Sequence, residues 1–365
     1  MTDDHYMALA FREAARAAGR THPNPAVGCI VSRGGVVVGR GCTQTPPGPH
    51  AEVVALQEAG PLARGATLYV TLEPCNHHGR TPPCVQAILE AGIARVVAAV
   101  RDPFAPAAGG LEALERAGVA TCAGVLEEQA ERWLAPFLHW ARTGRPYVVL
   151  KAAMTLDGKI ASASGESKWI TGPVARARVH RMRARLGAVM VGSRTALADD
   201  PELTVRVANG RYPQPTRIVA DSRLRLPLSS RLVQSAARAR LIVAASPEAD
   251  PARAEALVAA GAVVLSVPAQ DGKPDFAILM EELGKRGVTG ILLEGGGEIA
   301  FSALESGCVN EVMYFVAPKL LGGASAPTPL GGAGYASPDA AVSVHLEGVR
   351  RCGRDILIRG RVGGR

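Results

Sequence analysis

"GPHAEVVALQ" (48–57) and "LEPCNHHGRTPPC" (72–84) decide the fold predicted for the first half of this 365-residue chain. His50 and Glu52 stand where a helix begins, and eight residues separate Cys75 from Cys84. Zinc binds imidazole nitrogen and thiolate sulfur tetrahedrally, and a catalytic zinc ion keeps one position for water. One His and two Cys leave that position open. Glu52 is then available to move protons to and from the water.

The predicted secondary structure allows these side chains to converge. Residues two apart do not face each other on a regular helix, so His50 and Glu52 must approach the ion from the irregular first turn. Cys84 begins a helix after two prolines, and a helix N-terminus favours the thiolate. We therefore expect the zinc between two helix starts, near the carboxyl ends of strands.

The spacing of the two cysteines leaves alternatives open. Zinc nucleobase deaminases carry H-x-E followed by P-C-x-x-C, whereas here eight residues replace the two. A structural zinc site, or two unrelated cysteines, would also fit. A structural site would be closed by four protein ligands, which leaves Glu52 unexplained and favours catalytic zinc. In the insert "NHHGRTPP", His77 and His78 either compete as ligands or line a substrate pocket with Arg80.

Composition predicts a globular protein with two domains, since 365 residues exceed what one core usually supports. A net charge of +8 favours anionic partners. The basic run "ARARVHRMRARLG" (175–187) is interpreted as a solvated helix face rather than a nucleic-acid stripe. No stretch is predicted to span a membrane, and the N-terminus reads as a helix rather than a signal peptide. Seven cysteines suit a reducing cytoplasm. Five of them are expected to be inert small side chains: Cys29, Cys42, Cys122, Cys308 and Cys352.

Strands and helices alternate along the chain, which predicts an α/β fold with largely parallel sheets. "AVGCIVSRGGVVVGRGC" (26–42) predicts a hairpin around Gly34 and Gly35. The alternation restarts after Arg145-Pro146. We therefore predict one domain over residues 1–145 and a second over residues 146–365.

Together the motifs resemble one family. "HPNPAVG" (22–28), "HAE" (50–52) and "EPCNHHGRTPPC" (73–84) are similar to the deaminase half of the bifunctional riboflavin-biosynthesis deaminase/reductases, where the longer cysteine spacing is usual. "MTLDGKIA" (154–161), "GESKWIT" (165–171), "ALADDPELTVR" (196–206) and "LLEGGGEIAFSAL" (292–304) resemble the reductase half. The resemblance implies an N-terminal zinc cytidine-deaminase-like three-layer domain and a C-terminal dihydrofolate-reductase-like α/β domain.

A nucleotide site is expected at "ILLEGGGEIA" (291–300). There a strand runs into glycines and a helix start, so backbone amides can approach a phosphate. It is not the G-x-G-x-x-G of a Rossmann unit, and a plain turn is the alternative. For Trp169, to which the resemblance gives a contact with this nucleotide, packing in the core is the alternative. The resemblance implies NADPH, held by Ala153, Trp169, Thr195, Asp199, Ser222, Gly296, Gly297, Glu298, Ile299, Ala300, Phe301 and Ser302.

Contacts to the phosphorylated substrates are also implied by the resemblance. Guanidinium binds phosphate bidentately, although each arginine taken alone would fit a surface salt bridge. Asp200, before a proline, could be a turn residue or a cap. The loop "PKLLGGASAPTPLGGAG" (318–334) either lies near a site or is a flexible surface loop. The reductase substrate contacts are Ser167, Arg183, Leu203, Arg206 and Glu294, and those of the deaminase are Asn24, His77 and Arg80.

The implied activity is a zinc hydrolytic deamination of 2,5-diamino-6-(5-phosphoribosylamino)pyrimidin-4(3H)-one. An NADPH reduction of the ribosyl side chain of 5-amino-6-(5-phosphoribosylamino)uracil to ribityl follows. Phe104 and Leu134 depart from the family, in which Asn is usual at both positions, and Phe104 places a deaminase substrate contact in doubt. The alternatives are a nucleic-acid (tRNA-type) deaminase, a zinc-stabilised binding module, or a chain with one inactive half. We further expect a cytoplasmic homo-oligomer, a dimer or tetramer, that binds neither nucleic acid nor membrane.

Overall fold

The computed structural model describes residues 2–77, 82–207, 212–270 and 272–363. The chain folds into two compact units, Met1–Gly144 and Arg145–Arg365. The helices and strands of the first unit are, in chain order, α1 (Asp3–Ala17), β1 (Gly28–Arg33), β2 (Val36–Cys42), α2 (Ala51–Ala59), β3 (Thr67–Val70), α3 (Cys84–Glu90), β4 (Arg95–Ala98), α4 (Gly110–Arg116), β5 (Ala120–Ala123), α5 (Glu127–Trp133) and α6 (Ala135–Thr143).

The sheet of the first unit has the strand order β2-β1-β3-β4-β5. Strand β1 is antiparallel to both β2 and β3, while β3, β4 and β5 run parallel. The predicted hairpin is confirmed, since Gly34 and Gly35 form its turn with φ of 57° and 84°. Glycine adopts this left-handed backbone without steric cost.

Glycines let two helices press directly onto this sheet, one on each face. A Cβ on Gly28 would lie 1.9 Å from the Ala10 carbonyl oxygen of α1. A Cβ on Gly41 would lie 2.1 Å from the Ala51 carbonyl oxygen of α2. Gly41 pairs with Cys29, the neighbour of Gly28, so the two glycines point to opposite faces. The result is a helix–sheet–helix arrangement in which the start of α2 is held against β2.

The second unit is a larger α/β fold. In chain order its elements are β6 (Tyr147–Thr155), α7 (Pro173–Leu186), β7 (Ala188–Gly192), α8 (Ser193–Asp199), β8 (Thr216–Ala220), α9 (Arg231–Gln234), β9 (Leu241–Ala245), α10 (Pro251–Ala259), β10 (Val263–Ser266), β11 (Ala269–Gln270), β12 (Lys273–Pro274), α11 (Phe276–Lys285), β13 (Gly290–Leu293), α12 (Gly297–Glu305), β14 (Glu311–Ala317), β15 (Val344–Cys352) and β16 (Asp355–Val362).

Nine of these strands form one sheet, in the order β10-β9-β8-β7-β13-β6-β14-β16-β15. The strands from β10 to β14 run parallel, as the alternation predicts. Strand β6 is covered on both faces. Val148 and Leu150 belong to one core cluster with residues of α11 and α12, and Val149 belongs to another with residues of α7. Burial on both faces explains the continuous apolar runs of these strands.

The alternation of strands and helices in the sequence does not reveal the C-terminal hairpin of β15 and β16. Its strands are antiparallel to each other, and β16 is antiparallel to β14. Strand β15, "VHLEGVRRC", is the edge of the sheet and is exposed over most of its length. Its many polar residues hide the apolar pattern by which buried strands are recognised.

Two further expectations concern cysteines and membranes. Cys29 and Cys352 are buried, which suits inert small side chains, whereas Cys42, Cys122 and Cys308 are only half-buried. Among the described residues, every helix is too short or too polar to cross a lipid bilayer.

Candidate active sites

Three potential metal ligands converge in the first unit. His50 is the N-cap of α2, with extended backbone at φ −74° and ψ 165°, and Cys84 is the first residue of α3. The His50 Nδ1 atom lies 3.6 Å from Cys75 Sγ and 3.3 Å from Cys84 Sγ. The ligand atoms of the three residues all lie within 4.8 Å of one another. The helix starts predicted at both positions therefore bring these side chains to one point.

These distances fit a tetrahedral zinc ion. Zinc–sulfur and zinc–nitrogen bond lengths of about 2.3 and 2.05 Å at a tetrahedral angle separate sulfur from nitrogen by roughly 3.5 Å. The pKa of the Cys75 thiol is lowered well below its usual range, first by a hydrogen bond from Cys84 and then, against the effect of burial, by one from His50. One thiolate is thus already favoured here. Three protein donors leave a fourth position open.

Glu52 lies in the first turn of α2, directly after the ligand segment. Its side chain is buried, with 4% of the residue exposed. Burial, followed by the charge of Cys75, raises the pKa of Glu52 to about 7, against the lowering effect of His50. A carboxyl group with a pKa near neutrality can both accept and donate a proton at working pH. The predicted proton carrier therefore stands beside the predicted ligands.

A second buried carboxylate, that of Glu73, holds the loop that carries Cys75 against the loop after β4. Glu73 accepts a hydrogen bond of 2.9 Å from the backbone N–H of Asp102 and another of 2.9 Å from that of Leu111. The Asn76 N–H donates to the Ala107 carbonyl at 3.0 Å. The loops after β3 and β4 are thereby tied together around the ligand segment. Sequence inspection missed Glu73, although a lone acid next to the Pro-Cys pair was a usable signal.

Gly110 makes this arrangement sensitive to a single methyl group. A Cβ at this position would lie 1.8 Å from the Pro74 carbonyl oxygen, next to Cys75. We expect Gly110→Ala to lower the free energy of unfolding of the first unit by roughly 1–3 kcal/mol and to weaken zinc retention. Chemical denaturation with metal analysis measures both quantities. Gly348→Ala is the control, because a Cβ there meets no described atom within 4 Å. A similar loss in both variants would contradict the steric explanation.

The predicted deaminase substrate contacts are only partly described. Asn24 lies in a turn in which its N–H donates to the Thr21 carbonyl at 2.8 Å. His77 has a buried Nδ1 atom with no hydrogen-bond partner in the described part of the chain. Arg80 and the alternative ligand His78 lie outside the described residues. The roles of Asn24, His77 and Arg80 therefore stay predictions.

Phe104 and Leu134, the two residues that depart from the family pattern, both pack against apolar side chains of the first unit. Phe104 packs against the cluster of Cys75, Cys84 and Ala107, and its ring centroid lies 5.2 Å from that of Trp140. An aromatic side chain thus borders the candidate metal ligands at the position where the resemblance leads us to expect an Asn. Leu134 is buried in the core of the first unit.

The second unit contains a cleft of about 1130 Å³. It follows the carboxyl ends of β6, β13, β7 and β8, where open α/β sheets bind ligands. The Gly/Pro-rich loop closes one side, through Ala326, Thr328 and Gly331 among others, so it does lie at a site. Of the residues predicted for cofactor and substrate, the cleft is lined by Ala153, Ser167, Trp169, Thr195, Asp199, Ser222, Glu294, Gly296, Gly297, Glu298, Ile299 and Ser302.

The remaining predicted residues do not line this cleft. Ala300 and Phe301 are buried in the unit, with 0% and 3% of their surface exposed. Leu203 has its side chain in a hydrophobic core cluster and its backbone at φ 53°. Arg206 is exposed and pairs with Glu202 at 2.7 Å. Contacts from these residues to a ligand therefore stay predictions. Asp200 is the C-cap of α8, and its carboxylate accepts from the Arg231 N–H.

The three glycines at the start of α12 serve different purposes. A Cβ on Gly295 would meet Ile299 at 2.1 Å, and a Cβ on Gly297 would meet the Gly331 nitrogen at 2.6 Å. These two are required by packing. Gly296 has room for a Cβ, and its N–H donates to Thr195 Oγ1 at 3.2 Å. It caps the nine-residue α12, whose first amides lack partners within the helix and suit an anion such as a phosphate.

Trp169 and the loop are held by contacts that the motifs alone do not reveal. Trp169 is 62% exposed, so it is not a core residue, and the Arg176 guanidinium lies 4.4 Å from its ring centroid. The Lys319 ammonium donates to the Trp169 carbonyl. The Asp157 carboxylate accepts from the N–H groups of Leu321 and Gly322. The "MTLDGKIA" segment therefore fastens the loop over the cleft.

A buried ionic cluster lies at the β6–β13 end of the cleft. Arg183 donates to both Glu294 oxygens, at 2.6 and 3.0 Å, and Lys151 Nζ lies 3.8 Å from Glu294. Burial lowers the pKa of Lys151, although Glu294 opposes this effect. Burial raises the pKa of Glu294, but Arg183 and Lys151 outweigh it, so the net pKa is lowered. Lys151 was missed, although a single charge inside "YVVLKAAM" was a usable signal.

Arg183→Ala tests this cluster. Breaking a buried ion pair costs about 3–5 kcal/mol, and without Arg183 the Glu294 carboxylate keeps only the more distant Lys151 as a cation. Arg183 and Glu294 are only 12% and 9% exposed at their side chains. We expect a loss of that size in the unfolding of the second unit, together with a raised reductase KM. Arg206→Ala removes an exposed pair and should cost less than about 1 kcal/mol. Equal losses in chemical denaturation would refute the buried cluster as the cause.

Comparison with known proteins places both units in one family. A model of the RibD C-terminal domain matches residues 146–358. The cytidine and deoxycytidylate deaminase zinc-binding region matches residues 1–100. The riboflavin biosynthesis protein RibD of Actinobacillus pleuropneumoniae is 45% identical over 359 residues, which cover 98% of this chain and 95% of that protein. The chain belongs to the RibD family. RibD of Escherichia coli K12 is 44% identical over 88% of this chain and 89% of its own length.

Solved structures of RibD proteins have the same fold. RibD of Acinetobacter baumannii (form 1) superposes with a TM-score of 0.91 at 36% identity, and 99% of each chain is covered. The Thermotoga maritima crystal structure, titled as a diaminohydroxyphosphoribosylaminopyrimidine deaminase/5-amino-6-(5-phosphoribosylamino)uracil reductase, superposes with a TM-score of 0.85 at 33% identity, again with 99% of each chain covered. The predicted family and fold class are confirmed.

As a RibD protein, the chain is a bifunctional deaminase and reductase of riboflavin biosynthesis, and this is favoured over the nucleic-acid deaminase alternative. Zinc and NADPH are its cofactors. Phosphorylated pyrimidine substrates fit this catalysis and agree with the net charge of +8.

Proposed function

We propose that this chain deaminates 2,5-diamino-6-(5-phosphoribosylamino)pyrimidin-4(3H)-one within residues 1–145. Residues 146–365 then reduce the ribosyl side chain of 5-amino-6-(5-phosphoribosylamino)uracil to ribityl with NADPH. The observation that carries this assignment is the buried Glu52 beside His50, Cys75 and Cys84, in a chain whose second unit holds a cleft of about 1130 Å³.

In the deaminase we assign His50, Cys75 and Cys84 to the zinc ion. Zinc, when bound, supplies Lewis acidity at the open fourth position. Glu52 takes a proton from the attacking water and later delivers one to the departing ammonia. Its burial and its pKa of about 7 support both transfers near neutral pH.

We assign the pyrimidine and its phosphate to residues around that point. Asn24, His77 and Arg80 are the proposed polar contacts, and the unpartnered buried Nδ1 of His77 supports a ligand there. Phe104, packed against the cysteines, offers its ring to a base. An aromatic ring and a base stack favourably, which compensates for the missing amide.

For the reductase we assign the cofactor to the residues of the motifs. The amides of Gly297, Glu298 and Ile299 are assigned to a phosphate, beside Gly296, whose own N–H donates to Thr195 Oγ1. The rest of the cofactor is assigned to Ala153, Trp169, Thr195, Asp199 and Ser222. Ser302 also lines the cleft, while Ala300 and Phe301 support α12 from within. The proposed substrate contacts are Ser167, Arg183, Leu203, Arg206 and Glu294.

We propose Lys151 as the proton donor of the reduction, which adds one hydride and one proton to the substrate. NADPH supplies the hydride when bound. Lys151 lines the cleft beside Glu294, and its lowered pKa makes its ammonium a better acid. The Arg183–Glu294 pair keeps Lys151 in place.

We also propose that the protein is a cytoplasmic homo-oligomer, a dimer or tetramer, that does not bind nucleic acid. Support for association comes from β15, the edge strand of its sheet, on which Leu346 and Val349 are 60% and 61% exposed. Support against nucleic-acid binding comes from the phosphorylated substrates, which account for the positive charge. Light scattering and a salt-dependent gel shift test these two statements.

The function is tested by following ammonia release and NADPH oxidation with the purified protein and the diaminopyrimidinone ribose phosphate. Each assay is run with and without a zinc chelator. We expect chelator-sensitive ammonia release followed by NADPH oxidation. Supplying the deaminated substrate should restore NADPH oxidation in the presence of chelator. Metal-replete protein that releases no ammonia would overturn the deaminase assignment.

A further inference from the structure

The segment that leads to Arg206 has the pattern of a β-strand but no neighbouring strand. Leu203 and Val205 are buried, with 4% and 8% of their surface exposed, whereas Thr204 is half-buried and Arg206 is exposed. This alternation is typical of a strand with one face on the core. In the part of the chain that the structure describes, residues 203–207 pair with no strand. Other groups must therefore satisfy the backbone N–H and C=O groups of this segment.

The Gln214 amide satisfies one edge of the segment. Its Oε1 accepts from the Val205 N–H at 2.9 Å, and its Nε2 donates to the Val205 carbonyl at 3.3 Å. In an antiparallel pair of strands, a residue exchanges both of these bonds with the residue opposite. The Gln214 side chain thus takes the place of a neighbouring strand.

Two side chains of α7 satisfy the opposite edge. The Thr204 carbonyl accepts from Arg183 Nη1 at 2.8 Å, and the Arg206 N–H donates to His180 Nδ1 at 3.3 Å. His180 Nδ1 also lies 3.2 Å from the Thr204 carbonyl oxygen. Burial, followed by the charges of Arg183 and Arg206, lowers the pKa of His180, which favours the neutral ring. A neutral ring with its proton on Nε2 keeps Nδ1 as the acceptor for Arg206, while Arg183 serves the carbonyl.

Arg183 connects this segment to the reductase cleft. The same guanidinium donates through Nε and Nη2 to Glu294, which lines the cleft together with Lys151. At the end of the segment, Arg206 Nη1 donates to Glu202 at 2.7 Å, and 60% of the Arg206 side chain is exposed. The backbone bonds at both edges therefore set where an accessible guanidinium stands relative to the Glu294 cluster.

We propose that His180 and Gln214 are positioning residues of the reductase, which hold the backbone of residues 204–206 so that Arg206 meets the substrate phosphate. They act through the backbone rather than by touching the substrate. A guanidinium binds a phosphate through two parallel hydrogen bonds, so a small displacement of its backbone weakens both. This inference rests on the proposed function, which names Arg206 as a substrate contact.

Full-length variants are compared in NADPH oxidation with the deaminated substrate and in calorimetric binding of ribose 5-phosphate, which carries the same phosphate. We expect His180→Ala and Gln214→Ala each to raise the substrate KM, and to weaken ribose 5-phosphate binding, about 10-fold. The kcat, the KM for NADPH and ammonia release should not change. His180→Asn should keep the wild-type values, because its Oδ1 can accept from the same N–H. Gln234→Ala is the control, since Gln234 is exposed on α9 and donates to the Leu228 carbonyl instead.

Each outcome decides the inference. A fall in kcat or a rise in the KM for NADPH that accompanies the change in substrate KM would show a merely structural role and overturns it. Equal losses in His180→Ala and His180→Asn, or in Gln214→Ala and Gln234→Ala, overturn it too. If His180→Ala does not fold, Gln214→Ala tests the other edge by itself. Ribose 5-phosphate binding that depends on His180, in a wild type that does not oxidise NADPH with the deaminated substrate, refutes the proposed reduction and leaves the positioning role standing.

Discussion

Glu52→Gln is expected to abolish deamination while the protein keeps its zinc. Glutamine fills the same buried volume but cannot accept or deliver a proton, and general acid–base catalysis is worth about 10²- to 10⁴-fold. Ammonia release should fall by that factor. NADPH oxidation with the deaminated substrate should stay at the wild-type rate. Metal analysis beside both assays measures the three quantities.

Glu58→Gln is the matched control for this substitution. Glu58 lies on the same helix α2 and is exposed, where its carboxylate accepts from the Arg40 N–H at 3.0 Å. It should leave zinc content and both activities unchanged. If Glu52→Gln loses zinc, Glu52 acts as a ligand or a structural support, and its role as the proton carrier is wrong.

Cys84→Ala is expected to remove zinc and with it the deaminase activity. Two protein ligands would remain, and Lewis-acid activation worth several kcal/mol would be lost, which corresponds to about 10³-fold or more in rate. The reductase assay with deaminated substrate should not change. Atomic absorption and ammonia release test this, and a chelator applied to wild type should reproduce the same pattern.

Cys29→Ala separates metal loss from the loss of a buried thiol. Cys29 and Cys84 both have 0% of their surface exposed, and both lie in the first unit. The two substitutions delete the same atom from the same kind of environment, but Cys29 is not among the three grouped ligands. Cys29→Ala should therefore retain zinc. Equal zinc loss in both variants would show that the cysteine contributes packing rather than coordination.

Much of the deaminase centre could be predicted because its chemistry depends on residue type and local spacing. His50 precedes a helix that begins at Ala51, and Cys84 follows two prolines at the start of another. N-caps, prolines and the turn at Gly34 and Gly35 act over a few residues, so they are visible in the order of amino acids. The fold class followed in the same way from the alternation of strands and helices.

The edge hairpin could not be predicted by the same reasoning. Strand β15 has no second layer to bury its side chains, so its composition is polar and its apolar period is weak. Its existence depends on pairing with β16, which pairs with β14 about 45 residues earlier in the chain. Hydrogen bonding between distant strands leaves no local pattern.

By itself, then, the sequence determined which side chains could hold zinc, where the helices that carry them begin, and which family's chemistry to expect. Only the tertiary structure decided that Glu73 ties the loops after β3 and β4, that Arg183 faces Glu294 across 111 residues, and that His180 and Gln214 hold the backbone of residues 204–206. Coordination and capping depend on residues near in sequence. Ionic clusters and side-chain contacts of this kind depend on strand order, which is set by packing of the whole unit.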